Sequence, residues 1–523
     1  MSEQKRPPTS PVTEDQSEVL RLLGSASTYG PDVTEVDRID THGAIVFLAG
    51  DRAYKMKRAV AYPYMDFSTL EKRRDSCRRE MEINRRTAPS LYLDVVPITR
   101  TAAGLALGGD GTPVEWVLVM RRFDQANLLS RQAEAGRLTA ETMTALADAV
   151  AHFHGTAEPR RDRAAGAEAM AWVVRENGEE FGDRPDIFDP EDSRRLTDEA
   201  LGHLAHHAAL LDGRAENGKV RLCHGDLHLR NVVLLDGRPT LFDAIEFNDA
   251  IARIDVVYDL AFLLMDLDHR GLRPFANLVL NRYLQQRDET GALPLLPVFL
   301  STRAAVRAKV AASLQAVAEL AAERSLRRAE ATAYFERARA YLAPAPPRLV
   351  AVGGLSGTGK TTLARTLAPA LGAAPGAIHL RSDVLRKQQA GVDELDRLPP
   401  QAYTAEASAA VYAALGDRAA AALAAGQAVI VDAVFARPEE RAAIEEIARR
   451  AGVPFTGLWL EADADTLAAR VERRRGDASD ATAAVVAQQL TYDLGTIGWH
   501  CFEAGHPAAE LADRGRRLLD ETA

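Results

Sequence analysis

The rhythm of apolar and polar positions divides this chain into three stretches. Between residues 40 and 120 short apolar runs alternate with turns and one charged segment. Gly43–Ala49 reads as a strand, Gly50-Asp51 as a turn and Ala53–Lys57 as the return strand. The charged segment predicts a helix from Ser68 to about Arg86, opened by a capping box, Ser68-x-x-Glu71. Val114–Met120 is a further strand. From about Leu138 helical spacing dominates, broken by short strands at Val220–Cys223, Asn231–Leu235 and Pro239–Phe242. An Ala/Arg-rich helical stretch, Thr302–Leu342, closes this part. Beyond it strands alternate with helices: Leu349–Val352, Ala377–Leu380, Ala428–Val431, Phe455–Leu460 and a weaker Ile497–Glu503.

The change of pattern coincides with Ala343-Pro344-Ala345-Pro346-Pro347, a run that stiffens the backbone and ends the preceding helix. The expected division is a flexible tail at 1–19, a first domain at 20–342, a linker at 343–347 and a second domain at 348–523. A chain of 523 residues exceeds what one compact core supports. The fold class expected is α+β for the first domain and α/β with a parallel sheet for the second.

Composition adds exclusions. A net charge of −10 disfavours nucleic acid as the main partner, because phosphate backbones are held by clustered Lys and Arg. The three cysteines, Cys77, Cys223 and Cys501, have neither metal spacing nor a disulfide framework, which fits a reducing, cytoplasmic setting. The start of the chain is polar and lacks the apolar core of a signal peptide. The apolar run Val256–Leu267 is interrupted by Asp259 and Asp266 and is too short to span a bilayer, so no membrane role is expected. His203, His206 and His207 share a helix face without an acidic or cysteine partner and read as solvated.

Two segments carry chemistry. The first is His224-Gly225-Asp226-Leu227-His228-Leu229-Arg230-Asn231, followed by a strand that ends in Asp243. Phosphoryl transfer to a hydroxyl needs a carboxylate beside the attacking oxygen and ligands for Mg²⁺. Asp226 suits the first task, as catalytic base. Asn231 and Asp243 suit the second, as metal ligands. Asn231 lies five residues after Asp226, the spacing of the kinase catalytic loop, while Asp243-Ala244-Ile245-Glu246 departs from D-F-G. The segment resembles the aminoglycoside and choline phosphotransferase superfamily, and Asp255-x-x-x-Asp259 matches it as a helix start that braces the loop. The resemblance implies a bilobal kinase-like fold, and a strand Lys paired with a helix Glu to clamp ATP phosphates. Lys55 is the first choice for the Lys, with Lys57 on the same strand face as the alternative. Glu80 is the first choice for the Glu, with Glu82 behind it. No glycine-rich loop is evident near Gly43. Met120-Arg121-Arg122-Phe123 stands where the hinge would be, and Glu246 and Asp249 would make an acidic wall.

The second segment, Gly354-Leu355-Ser356-Gly357-Thr358-Gly359-Lys360-Thr361, is a P-loop, G-x-x-x-x-G-K-[ST], in a strand–loop–helix setting. Backbone N–H groups of Gly354, Ser356, Gly357, Thr358 and Gly359 and the helix start face phosphates in such a loop. Lys360 reaches the β- and γ-phosphates, and Thr361 offers its hydroxyl to Mg²⁺. Asp383 after the second strand suits a general base, and Asp432 at the end of the third suits the metal. Arg470 and Arg474, ahead of a Gly/Asp/Ser loop, resemble the lid of small monomeric kinases. This half is similar to the compact P-loop kinases that act on gluconate, shikimate and polynucleotide 5′ ends. Residues 388–405 match no substrate-reading pattern, and the N-K-x-D of GTPases is absent.

Together the two halves resemble bacterial bifunctional proteins that join an aminoglycoside phosphotransferase-like domain to a P-loop ATP-binding domain. The resemblance implies an ATP- and Mg²⁺-dependent phosphotransferase acting on hydroxyl groups of small polar molecules. The alternative expectation is a P-loop kinase, acting on small molecules, nucleosides or polynucleotides, regulated by a non-catalytic kinase-like domain.

Overall fold

The computed structural model describes residues 12–521 except 42, 63, 64, 318, 319 and 475, with only the backbone described at 316, 317 and 508. The start of the expected tail, residues 1–11, and Arg475 of the arginine run lie outside the described residues. The chain falls into two compact units, 1–169 with 209–263, and 170–208 with 264–523.

In the first unit, β1 (Val36–Asp40), β2 (Ala44–Ala49) and β3 (Arg52–Lys57) lead into a short hairpin, β4 (Ala61–Tyr62) and β5 (Met65–Asp66). After a helix come β6 (Tyr92–Thr101), β7 (Gly104–Leu107) and β8 (Thr112–Arg121). Six of these strands form one antiparallel sheet in the order β1-β2-β3-β8-β6-β7. Period-two alternation puts Ile45, Phe47, Met56 and Val117 on one face, and Leu48, Ala53, Leu118 and Met120 on the other.

The helix spans Leu70–Asn84, and its cap is Thr69, whose hydroxyl accepts from Lys72 N–H. Ser68, the expected cap, lies one residue outside. Its N–H donates to Asp66 (3.0 Å), and the extended φ, ψ of −120°, 157° required at the cap belongs to Thr69. Arg73, Cys77, Glu80 and Asn84 recur at helical spacing on the buried face. Arg73 is fully buried and donates to Glu115 (2.9 Å), Glu14 (2.8 Å) and the Phe67 carbonyl (3.1 Å). These bonds fix the helix against β8 and so set the position of Glu80 two turns on.

Four further strands, β9 (Val220–Leu222), β10 (Val232–Leu235), β11 (Arg238–Leu241) and β12 (Arg253–Asp255), form two ladders. β9 and β10 bracket the His224–Asn231 loop without pairing to each other; β9 pairs with β12, and β10 with β11. Asp236 and Gly237 both take positive φ, the twist that a two-residue hairpin turn needs.

In the second unit, β13 (Leu349–Gly353), β14 (Ile378–Arg381), β15 (Val429–Asp432), β16 (Phe455–Glu461) and β17 (His500–Glu503) form a parallel sheet in the order β14-β15-β13-β16-β17. β13 and β15 are buried throughout, as strands covered on both faces must be. The helix Lys360–Leu367 packs Leu363, Ala364 and Leu367 onto Val350, Val352 and Ile430. The helical stretch expected over Thr302–Leu342 consists of two helices, Leu296–Val317 and Ala321–Leu342. Leu320 takes the extended conformation of an N-cap (ψ 137°), which restarts the helix. Among the described residues no helix is long and apolar enough to cross a membrane.

Because Glu115 is buried beside Arg73, the Arg73→Ala variant leaves a carboxylate with its guanidinium removed. The expected cost is about 3–5 kcal/mol, read as a lower urea midpoint. The Arg73→Met, Glu115→Leu double variant is expected to lose clearly less. Equal losses would show that the ion pair is not what seats this helix.

Candidate functional sites

The alternation of β3 places Lys55 and Lys57 on one face of the strand, and Glu80 lies between them. Lys55 Nζ donates to Glu80 Oε1 (2.7 Å), and Lys57 Nζ to Glu80 Oε2 (2.5 Å). The two lysines differ in what lies beyond. Lys55, 14% exposed, also bonds Asp243 Oδ1 (2.5 Å); Lys57, 3% exposed, bonds Glu246. Lys55 therefore faces the expected metal ligand, and Lys57 faces the interior. Glu246, read from the sequence as part of an acidic wall, turns its side chain inward to Lys57 and Ser76 (3.1 Å) and leaves it 6% exposed. Glu82 is exposed and pairs with Arg79 (3.2 Å), away from either lysine.

Burial alone would push the Glu80 carboxyl up; the two ammonium groups override it and hold it down at about 2. Glu246 moves the other way, because burial outweighs its one close lysine, Lys57.

Asp243 sits at φ 61°, a conformation that costs a non-glycine residue of order 1–3 kcal/mol. Its surroundings impose it. The Asp243 N–H donates to Tyr92 Oη (2.9 Å), and the next N–H, of Ala244, to Asn84 Oδ1 (2.8 Å). The preceding carbonyl, of Phe242, accepts from His224 Nε2 (2.9 Å). His224 Nδ1 in turn accepts from Asp226 N–H (3.3 Å), so the imidazole is neutral with its proton on Nε2. Burial pushes its pKa down, in keeping with that state.

The backbone of the His224–Asn231 loop hangs on Asp259, which accepts from His224 N–H (3.1 Å), Gly225 N–H (2.9 Å) and His154 Nε2 (3.1 Å). Gly225 has φ 83° and Ile245 packed where a Cβ would be, at 3.1 Å, so no other residue fits without strain. His154, Cys223 and Asp259 lie close enough to hold an ion. The Asp259 oxygens are committed to the loop amides, however, and Cys223 Sγ reaches the Ile254 carbonyl (3.4 Å), so the cluster acts as a brace. At the loop's far end Asn231 Nδ2 donates to Asp226 Oδ2 and to the Asp226 carbonyl, both at 2.9 Å. The Asn231 carbonyl accepts from Phe242 N–H (3.0 Å), which ties Asp226 and Asn231 to the segment bearing Asp243.

At the second site β13 runs into Gly354 and the helix begins at Lys360. Gly354 has φ 137°, and a Cβ there would stand 2.5 Å from the Leu460 carbonyl oxygen. Lys360 Nζ donates to the Leu355 carbonyl (3.0 Å), and burial pushes its ammonium below the usual value. Thr361 Oγ1 donates to Asp432 Oδ2 (2.5 Å). Burial raises the Asp432 carboxyl, but His379, Arg381 and Lys360 hold it at about 2. Asp383 is pushed above the ordinary carboxylate value, first by burial and then by Asp432, against the pull of Arg381.

A cavity of about 1990 Å³ is lined by Ser356, Gly357, Gly359, Lys360, Thr361, Asp383, Asp432, Arg470 and Arg474. Thr358 is buried, with its hydroxyl on the Leu355 carbonyl (2.9 Å). Arg470 also donates to the Ala504 carbonyl (2.7 Å). Several residues here were not singled out from sequence. Gln489 Oε1 accepts the Ser356 N–H (2.8 Å). Asp480 accepts from Lys387 (2.9 Å), Leu398 N–H (3.0 Å) and Tyr403 Oη (2.6 Å). A P-loop pattern ends at Thr361, so nothing local announces these partners.

Two kinase-type sites of different construction thus lie on one chain. Residues 62–295 match the phosphotransferase enzyme family, and residues 349–492 match an AAA domain family of the P-loop class. An uncharacterized protein of Mycobacterium tuberculosis is 32% identical over 474 residues, covering 88% of this chain and 91% of its own. A Mycobacterium bovis protein matches to the same extent. Among solved structures, a choline/ethanolamine kinase family protein from Mesorhizobium loti is 16% identical and aligns with 62% of this chain and 98% of its own, at TM-score 0.40. A gluconokinase from Sinorhizobium meliloti is 23% identical and aligns with 34% of this chain and 98% of its own, at TM-score 0.24.

The class is therefore a phosphotransferase with two kinase-like domains, the first matching the phosphotransferase enzyme family and the second of the P-loop kinase type. The chain belongs to the family of these mycobacterial proteins.

The Glu80 carboxyl titrates near 2 in the folded protein against an ordinary 4.5, so it stabilises the fold fully above pH 4.5. That contribution is lost as the pH falls from 4.5 towards 2. Glu80→Gln is expected to flatten the acid limb of a plot of urea midpoint against pH. Superimposable slopes for wild type and variant would refute the buried pairing.

Proposed function

We propose that the protein is an ATP- and Mg²⁺-dependent phosphotransferase that phosphorylates hydroxyl groups of small polar molecules, with a nucleotide site in each of its kinase-like domains, 20–342 and 348–523. One observation carries this reading: each site holds a carboxylate against its phosphate-handling side chain at 2.5 Å, Asp243 on Lys55 and Asp432 on Thr361. Carboxylate, amide and hydroxyl oxygens are the donor set that Mg²⁺ prefers. Asn231 and Asp243 would hold it at the first site, Thr361 and Asp432 at the second. When bound, magnesium-ATP supplies the γ-phosphoryl group to be transferred.

The chain's own residues supply the rest. Asp226, held by Asn231, takes the proton of an acceptor hydroxyl at the first site, and Asp383 does so at the second. Lys55, oriented by Glu80, and Lys360, at a helix start, hold phosphate oxygens. Arg470 and Arg474 line the second cavity from the lid side. A net charge of −10 and three free cysteines accord with small-molecule substrates and a reducing, cytoplasmic setting.

A second reading has one specific observation in its favour. The sequence between β1 and β2 is Thr41-His42-Gly43, with a single glycine where a glycine-rich phosphate loop would have several. In that reading the kinase-like domain binds nucleotide without catalysing transfer and regulates the P-loop kinase.

Titration calorimetry of the whole chain with magnesium-ATP is expected to find two sites, one lost in Lys55→Ala and the other in Lys360→Ala. With γ-labelled ATP and a panel of hydroxylated metabolites, Asp226→Asn is expected to lower transfer at the first site by about 10²–10⁴-fold while both binding events remain. Unchanged transfer in Asp226→Asn, with complete loss in Lys360→Ala, would establish the regulatory reading instead. The kcat/KM of the second site is expected to fall on the acid side at a pKa above the ordinary 3.8 of an aspartate, and Asp383→Asn to remove that limb with the activity. An acid limb at or below 3.8 would take the base role from Asp383.

A further inference from the structure

The helix Arg273–Gln286 lies inside the stretch matched to the phosphotransferase enzyme family, yet it belongs to the compact unit that contains the P-loop. It covers the edge of the parallel sheet. β14 is the end strand, and an end strand leaves backbone N–H and C=O groups without a ladder partner. Here two asparagines supply the partners. Asn281 Oδ1 accepts from His379 N–H (2.7 Å), and the Ala377 carbonyl accepts from Asn277 Nδ2 (3.0 Å) and Asn281 Nδ2 (3.2 Å). Both asparagines are buried. Gln388 Nε2 adds a bond to the Gln285 carbonyl (2.8 Å).

From the same helix a line of ion pairs runs towards the P-loop. Arg282 Nη1 donates to Glu394 Oε2 (2.5 Å), and Glu394 Oε1 accepts from Arg381 Nη1 (3.4 Å). Arg381, 3% exposed, turns its Nη2 to Asp477 (3.1 Å) in the loop after Arg474, and its Nε lies 3.7 Å from Asp432. Glu394 falls within residues 388–405, for which the sequence offers no role. One guanidinium therefore faces the metal-ligand candidate Asp432 and the lid carboxylate Asp477 together, and its third carboxylate is held by a residue from outside the P-loop match.

We propose that Arg282 and Glu394 are positioning residues of the P-loop site: they fix the guanidinium of Arg381, which in turn holds the lid loop down through Asp477. The proposal deepens the reading of this site as a kinase, since the loop it restrains is the expected lid. An arginine fork has a planar set of N–H donors, and its direction follows whichever carboxylates are fixed around it. Glu394 is fixed on its far side by Arg282. Without that tether the loop bearing Glu394 loses its hold on the helix, and Arg381 loses one of the anchors that aim it at Asp477.

Trypsin reads this loop through Arg473 and Arg474, which precede Asp477; the protease takes its substrate as extended chain, so cleavage quickens as the loop is released. In the full-length protein without nucleotide, Arg282→Ala, Glu394→Gln and Asp477→Asn are each expected to speed cleavage at these arginines several-fold, with fragments assigned by mass spectrometry. The Arg282→Ala, Asp477→Asn double variant is expected to be cut no faster than the faster single variant, since both act through one guanidinium. Arg282→Lys, which keeps the charge, is expected to restore most of the protection. Cleavage of Arg282→Ala at the wild-type rate, or multiplied effects in the double variant, would overturn the proposal. Failure of the kinase reading looks different: magnesium-ATP would then give the wild-type lid no added protection, whatever the Arg282 variant does.

Discussion

A cation removed from water must find a carboxylate, and both sites of this protein are organised by that requirement. At the first site two lysines two residues apart share one buried glutamate. Each ammonium also has a carboxylate of its own, Asp243 on Lys55 and Glu246 on Lys57, and both lysines pull the Glu80 carboxyl down against its burial. The outer partners then distinguish the pair. Asp243 on Lys55 is 41% exposed, on the open side of the cluster. Glu246 on Lys57 is 6% exposed and cannot leave without stranding a charge. The two lysines thus divide the cluster: Lys57 is enclosed at the helix–strand junction, and Lys55 faces Asp243.

The P-loop meets the same requirement differently. Lys360 rests on a backbone carbonyl of its own loop, and burial weakens its charge. Its nearby carboxylates, Asp432 and Asp383, move apart in pKa under different neighbours. Asp432 has His379, Arg381 and Lys360 to keep it ionised, as suits a metal ligand. Asp383 has burial and the charge of Asp432 working against ionisation, as suits a base that must accept a proton. The first site is assembled from β3, the helix Leu70–Asn84 and the segment after β11, which are distant in sequence. The second draws its core from one continuous strand–loop–helix.

That difference governs what could be read from the sequence. That the P-loop, Asp383 and Asp432 come together was legible because loop geometry and strand ends fix their positions locally. Asp226, Asn231 and Asp243 were legible as a spacing, and Asp259 as a brace whose carboxylate meets the two loop amides. The choice between Lys55 and Lys57 was not legible, since both point the same way from β3 and only their outer partners separate them. Ser68 and Thr69 are equally good caps in composition, and Asp66 decides between them by taking the Ser68 N–H. Glu246 looked like an exposed acid because its partner, Lys57, lies far back in the chain. The strands β6 and β7 passed unmarked, since half-exposed positions such as Leu93, Val95 and Leu105 blur the alternation.

The Asn277–Asn281 pairing shows why a boundary of composition need not be a boundary of folding. The Pro/Ala run at 343–347 is where the pattern of residues changes. Hydrogen-bond demand follows other lines. The end strand of a parallel sheet needs donors and acceptors along its open side, and a helix with two amide side chains one turn apart can supply them without becoming a strand. A periodicity argument sees in Asn277 and Asn281 two polar residues on a helix and assigns them to solvent. Their burial is intelligible only once β14 is known to be the sheet edge, a property of strand order that no local pattern encodes. The same helix then brings Arg282 to Glu394, so satisfying a sheet edge and orienting a charge near the P-loop follow from one packing event.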